Sequence, residues 1–256
     1  MKEKLVNELL NYFINENNIV DITIPNSYEE KRLLLRGIIN MREPKKLNNE
    51  IIKKENSLLQ LELKEKDIIN VNEFNNKVCI YKGDITKLKC DCIVNACNKY
   101  LLGCFIPNHS CIDNQIHTYA GINLRLKCNE IMNNETLENG KVILTKGYNL
   151  PCKYIIHTVG PQVFGNVTKQ NQIDLKNCYI NSLKLAKKNN IKSIAFPCIS
   201  TGLYGYPKQE AAVISYNAIM NYLKNNNEFF DKIIFNVFTN EDKEIYEQLF
   251  KDKKIN

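Results

Sequence analysis

From residue 77 onward, short apolar runs alternate with segments of helical period. The runs are VCIYKG (78–83), CIVNA (92–96), KVILTKG (141–147), KYIIHTVG (153–160), SIAFPCI (193–199) and KIIFNVF (232–238). Each is rich in β-branched and aromatic residues and is bounded by Gly, Asn or Pro, which predicts strands. Between them, apolar positions recur at helical spacing over 113–132, 173–189, 208–223 and 241–251. Strands alternating with helices predict a three-layer α/β/α domain. Several runs are continuously apolar, so helices should cover both faces of the sheet. Ligands in such folds sit beyond the carboxyl ends of the strands, and the residues following each run are the candidates for function.

The first seventy residues have a different texture. Leu5, Leu9 and Phe13 recur at helical spacing. Pro25 breaks the chain, and Ser27 stands three residues before Glu30, a capping-box pattern ahead of LLLRGII (33–39). Pro44 stops that second helix, and a weaker helical pattern covers 50–63. We expect residues 1–70 to form a helical extension packed on a domain spanning 71–256. No internal repeat is visible.

Length and composition narrow the class. The 256 residues fit one large domain, or one domain with an extension. With 44% hydrophobic and 25% charged residues the chain is not disordered, collagen-like or low-complexity. No window approaches the roughly 18 uninterrupted apolar residues of a membrane span. The start, MKEKLVNELLNYF, lacks the compact apolar core of a signal peptide, and we expect a cytoplasmic protein. The net charge of +7 comes from lysines scattered beside Glu and Asp, a pattern of solvated helix faces rather than a nucleic-acid stripe. Ten cysteines in such a chain are expected to be mostly buried thiols, with Cys79, Cys92, Cys152, Cys178 and Cys198 inside apolar runs.

Three constellations follow strands. Lys82-Gly83-Asp84-Ile85-Thr86 is a glycine turn followed by an acid, which by itself also reads as a helix cap. Asn95-Ala96-Cys97-Asn98 places two asparagines three apart at a strand end, suited to a polar neutral ligand such as a ribose, although Asn is also a common turn former. Ser200-Thr201-Gly202-Leu203-Tyr204-Gly205-Tyr206 joins a strand to a helix and can surround a phosphate or diphosphate with backbone N–H groups. It is neither a Walker loop nor a Rossmann fingerprint. A fourth feature is the bent stretch 102–117, where Cys104, His109 and Cys111 fall within eight residues. Two thiolates and an imidazole are a zinc set, and three protein ligands with one open position is the catalytic arrangement. Two other readings stand on spacing alone. The three are unconnected side chains, or a structural site is closed by another cysteine such as Cys97 or Cys128.

In this order, GDIT (83–86), VNACN (94–98) and AFPCISTGLYGY (195–206) resemble the macrodomain family of ADP-ribose binders over about 78–250. The resemblance implies a macrodomain-like three-layer α/β/α fold with a central mixed sheet. It implies that Asp84, with the Ile85 backbone beside it, takes the adenine amine. Phe238 would stack on adenine, and Ser200, Thr201, Gly202, Leu203 and Tyr204 would wrap the diphosphate. Residues 103–117 further resemble a zinc-containing subgroup with GCF-x-P-x-H-x-C-I-D-N-x-I-H here and an N-terminal helical extension. That implies one Zn2+ on Cys104, His109 and Cys111, and a hydrolase removing mono-ADP-ribose from modified proteins. The family's target is often a lipoyl-carrier protein modified by a sirtuin-type transferase. Asp113 and Asn98 would be catalytic, with Cys111 and Ile112 also at the ligand. Asp113 is expected at a helix start, where it can also cap. His117 is expected to pack and hydrogen-bond, and His157 to be structural. The alternatives are a reader module that binds ADP-ribose without cleaving it, and a deacetylase of acetylated ADP-ribose.

Overall fold

The computed structural model describes residues 1–226 and 228–254. Three helices come first: α1 (Lys2–Glu16), α2 (Tyr28–Met41) and α3 (Asn49–Lys64). The Ser27 hydroxyl accepts the Glu30 amide at 3.3 Å and donates to the Glu30 carboxylate at 2.7 Å, so the cap starts α2 where the sequence placed it. Then follow β1 (Ile69–Asn70), β2 (Val78–Lys82), β3 (Leu88–Lys89), β4 (Cys92–Ala96), α4 (Ile112–Ala120), α5 (Ile122–Met132), β5 (Val142–Lys146) and β6 (Tyr154–Thr158). The chain ends with α6 (Lys169–Lys188), β7 (Ser193–Phe196), α7 (Lys208–Lys224), β8 (Lys232–Val237) and α8 (Asn240–Lys254).

All six apolar runs are strands of one sheet, ordered β2-β8-β7-β4-β6-β5. Every pairing is parallel except β5 with β6. The carboxyl ends of five strands therefore share one edge. The helical pattern over 113–132 is two helices, not one. Gly121 separates them with a left-handed φ of +92°, a conformation that glycine adopts at no steric cost. Helix α6 begins before the apolar pattern does, because Thr168 and Asn171 form a capping box. The two-residue strands β1 and β3 pair with each other and are too short to leave a pattern.

One face of the sheet is buried by α6, α7 and α8, through Leu175, Leu183, Ile219 and Tyr246 against Ile156, Ile194 and Phe235. The other is buried by α4 and α5, through Ile116, Leu124 and Cys128 against Ile93, Ile155 and Ile234. Cys92, Cys152 and Cys178 are buried as expected, whereas Cys79 and Cys198 are only partly so; all ten cysteines are free thiols. Among the described residues no helix is long and apolar enough to cross a membrane.

Helices α1–α3 build a third apolar cluster from Val6, Leu9, Phe13, Leu35 and Leu58, and Ile122 of α5 is part of it. Polar anchors reinforce that contact. Arg125 of α5 donates to the carbonyls of Ile39, Asn40 and Arg42 at 3.0, 3.0 and 2.6 Å, capping α2 with a cation where its dipole favours one. Both carboxylate oxygens of Glu55 accept the Ile122 amide that opens α5, at 3.2 and 3.0 Å.

Burial raises the Glu55 carboxyl to about 7. Below the unfolded-state value of about 4.3 the group is protonated in both states. Above it the unfolded chain loses the proton first, so stability present at low pH declines as pH rises through 7. Glu55→Gln stays neutral. It should equal wild type near pH 4 and exceed it by about 1–3 kcal/mol near pH 8 in denaturant titrations. A wild-type advantage near pH 8 would show that attraction to Arg32, Arg42 and Arg125 outweighs the cost of burying the charge.

Candidate functional site

At the shared carboxyl edge of the parallel strands lies a cleft of about 920 Å³. Every residue expected at the site lines it: Asp84 and Ile85, Asn98, Cys104, His109, Cys111, Ile112 and Asp113, the run Ser200–Tyr204, and Phe238.

At one end the glycine turn after β2 is stapled to β8. Gly83 N donates to Val237 O at 3.0 Å, and the Asn236 amide donates to the carbonyls of Tyr81 and Gly83 at 3.2 and 2.9 Å. Asp84 caps the following 3-10 turn, accepting the Thr86 amide at 2.8 Å and its hydroxyl at 2.7 Å. Both bonds go to Oδ1. The cap and the ligand acceptor are thus compatible roles, since Oδ2 takes neither of these bonds. Phe238 directly follows β8 and is 74% exposed while lining the cleft, an aromatic face without the apolar cover its size favours.

The loop after β7 forms the middle. Ser200 and Gly205 both take φ of +67°. Tyr206 N donates to Ser200 O at 2.9 Å and Gly205 N to Gly202 O at 3.0 Å, which closes the loop on itself. Among the described residues the amides of Gly202, Leu203 and Tyr204 take no backbone acceptor and are free to serve as an anion-binding nest. The buried Ser200 hydroxyl is also without a partner. The sequence reading passed over Gly160, which runs beneath this loop. A Cβ there would stand 2.1 Å from Ser200 Oγ, so only glycine permits the approach.

At the other end Asp113 lies buried in the first turn of α4. It is not the cap. Cys111 holds that position, and its Sγ accepts the Asn114 amide at 3.4 Å, because the chain bends into the helix two residues earlier than expected. The Asp113 carboxylate accepts the side-chain amides of Asn95 at 2.8 Å and Asn98 at 3.4 Å. Burial pushes the carboxyl up to about 6, against the pull of the Asn95 donor. The Asn95 amide also meets His157 Nδ1 at 3.2 Å, and His157 Nε2 meets Thr145 Oγ1 at 2.9 Å. Burial holds His157 neutral, with its pKa lowered to about 3. Asn95 donates, so Nδ1 accepts and Nε2 carries the proton. A buried chain Thr145–His157–Asn95 thus orients Asp113. Sequence reasoning paired Asn95 with Asn98 but carried only Asn98 into the site. His157 is structural in the sense expected. His117 packs as expected but makes no hydrogen bond at either ring nitrogen; its Nε2 stands 3.6 Å from Asp113.

The ligating atoms of Cys104, His109 and Cys111 all lie within 4.8 Å of one another, with Cys104 Sγ 3.5 Å from His109 Nδ1. Cys97 and Cys128 do not join them. Both are buried in the core, and Cys128 sits instead with His117 and His157. The donor chemistry fits zinc: two sulfurs and an imidazole, half-exposed at a cleft wall. Burial and the neighbouring Cys104 push the Cys111 thiol up to about 12, a cost that a bound divalent cation reverses.

A parallel-edge cleft with an anion nest, a free aromatic and a buried acid on this sheet order defines a macrodomain, and the chain belongs to that family: the Macro domain model matches residues 94–215. A protein-ADP-ribose hydrolase of Staphylococcus aureus (strain MSSA476) is 41% identical over 253 residues, covering 94% of each chain and so most of residues 1–70 as well. The human ADP-ribose glycohydrolase MACROD2 is 48% identical over 172 residues, 67% of this chain and 39% of that protein. Among solved structures, a Trypanosoma brucei macrodomain in complex with ADP-ribose superposes with a TM-score of 0.64 at 27% identity, covering 84% of this chain and 94% of that one.

Proposed function

We propose that the protein hydrolyses the bond between ADP-ribose and a modified protein, using a zinc-bearing loop at the distal ribose. The observation that carries this reading is spatial. One cleft joins Asp84 and Phe238, the nest at 202–204, and a cluster of Cys104, His109, Cys111 and Asp113. The names of the relatives support the reaction class, and the donor chemistry of the loop supports the metal.

The residues divide the work along the ligand. Asp84 accepts the adenine amine, and Phe238 stacks on the base, a contact worth about 1–3 kcal/mol. The amides of Gly202, Leu203 and Tyr204 hold the diphosphate. Asn98 orients the distal ribose. The bond that breaks is the glycosidic C–O or C–N bond at the anomeric carbon, through an oxocarbenium-like transition state. In this reading the Asp113 carboxylate opposes that positive charge and takes a proton from the incoming water, whose oxygen bonds to the anomeric carbon, while the leaving oxygen or nitrogen departs and gains a proton in turn. Zinc, when bound, supplies a Lewis acid at the ribose hydroxyls. Ten free thiols suit a reducing compartment, and we place the protein in the cytoplasm. A lipoyl-carrier protein modified by a sirtuin-type transferase is the substrate that the subgroup resemblance suggests.

The test is release of ADP-ribose from a mono-ADP-ribosylated protein, with and without a chelator. Release that the chelator abolishes is the expected result. Binding without release makes the protein a reader. Release untouched by a chelator that strips all zinc removes the metal from the reaction. Cleavage of acetylated ADP-ribose alone makes it a deacetylase.

A further inference from the structure

We infer that Arg36 and Asn40, on α2 of the N-terminal helices, are positioning residues for the Cys104–Cys111 loop, so that these helices are part of the reaction site. The inference rests on the function proposed above and deepens it.

The loop has little to hold it in place from within. His109 N to Ile106 O, at 3.3 Å, is its internal backbone bond, and Asn108 sits at a left-handed φ of +55°. Its order comes from outside. Asn114, buried in α4, donates from Nδ2 to the carbonyls of Cys104 at 3.2 Å and Ile106 at 3.0 Å. The Asn114 amide caps onto Cys111 Sγ. Arg36 Nη2 then donates to Asn114 Oδ1 and to His109 O, each at 2.8 Å. Through these bonds one guanidinium reaches all three ligating residues: His109 directly, and Cys104 and Cys111 through Asn114.

Asn40 lies one turn further along the same face of α2. Its Oδ1 accepts the Asn108 amide at 3.1 Å, and its Nδ2 donates to Thr118 Oγ1 at 3.2 Å, which in turn donates to Asn114 Oδ1 at 3.3 Å. Gly37, between them, brings the helix against the loop. A Cβ there would stand 3.2 Å from Asn108 Nδ2 and 3.6 Å from Pro107 Cβ.

The helices have attachments apart from these bonds: Arg125 on the α2 carbonyls, Glu55 on the Ile122 amide, and the burial of Ile122 in the third cluster. Arg36 is half-buried, and its partners are the loop and the residue that braces the loop. Groups that orient metal ligands in this way are worth roughly 10–100-fold in metal affinity or activity when lost.

The test uses the full chain with Arg36→Ala, and Arg32→Gln as comparison. Arg32 pairs with Glu62 at 2.6 and 3.0 Å wholly within the helices, so its loss weakens their packing without touching the loop. Three quantities are measured: transfer of zinc to a colorimetric chelator, amide hydrogen exchange over 104–114, and kcat against ADP-ribose affinity. Arg36→Ala should speed zinc transfer and lower kcat, each by about tenfold or more. ADP-ribose affinity should hold, because the adenine and diphosphate contacts lie elsewhere in the cleft. Exchange should accelerate over 104–114 in the zinc-stripped protein as well as the loaded one. Arg32→Gln should lower the melting temperature without these changes.

Wild-type exchange over 104–114 in Arg36→Ala would overturn the inference. So would equal acceleration in Arg32→Gln, which would mark a general loosening. If the wild-type protein holds no zinc or releases no ADP-ribose, the proposed function fails, yet the exchange measurement still decides whether Arg36 orders the loop.

Discussion

Asp113→Asn is expected to lower turnover of an ADP-ribosylated protein by about 10²–10⁴-fold, the usual contribution of a positioned acid or base. The substitution keeps size and one carbonyl oxygen, so the Asn95 donor at 2.8 Å retains an acceptor and only the weaker Asn98 bond at 3.4 Å is lost. It removes a charge that the surroundings accommodate reluctantly, since burial already raises this carboxyl to about 6. Folding should therefore survive. Affinity for ADP-ribose should change little, because Asp84, Phe238 and the nest contact the far part of the ligand. Turnover and affinity thus separate in one variant, measured by single-turnover release and by titration calorimetry. Wild-type turnover in a folded Asp113→Asn would leave the cleft without its acid, and the mechanism above would be wrong.

The second large effect is on stability. A chain starting after residue 70 should fail to reach a native state. It would leave Arg125 facing solvent without its three carbonyl partners, and the Ile122 amide without the Glu55 carboxylate. It would uncover Ile122, and fully burying such a side chain contributes about 1.5–3 kcal/mol. The two N–H groups of Arg125 Nη1, shared among the three carbonyls, contribute roughly 1.5–3 kcal/mol each as bonds of a charged group. Together these losses approach a domain's whole margin of about 5–15 kcal/mol. Near-ultraviolet circular dichroism and solubility would report the outcome. A soluble truncated chain with an unchanged melting temperature would show that residues 1–70 contribute nothing to the fold of the rest.

The six strands of the large sheet were legible because each is a short run rich in β-branched and aromatic residues, and the inner ones are continuously apolar, as a sheet covered on both faces requires. The site was legible where its residues stand in consecutive positions after a strand, as at 83–86 and 200–206. What escaped lies in relations between distant segments. Asn95 and His157 face each other across β4 and β6 because of strand register, and Thr145 joins from β5. No local pattern encodes that register. Arg36 sits within LLLRGII, where period assigns the leucines to a buried face but cannot say that the one cation meets a loop seventy residues away. The break at Gly121 was hidden by apolar periodicity that runs through it.

Gly160 sets a limit on how the gene can drift. Its backbone and Ser200 Oγ are separated by less than one side-chain atom, since a Cβ would come within 2.1 Å. Every missense change at that codon adds a Cβ, and each would push the Ser200 hydroxyl and the Ile199 side chain, 2.7 Å away, from their places at the base of the loop. Misplacement by about 1 Å near a reacting geometry can cost 10²-fold in rate. The position has no small step to take. A compensating change would have to arise in the loop at 199–201 first, while the glycine is still present, so the order of substitutions along any lineage is constrained by one van der Waals contact.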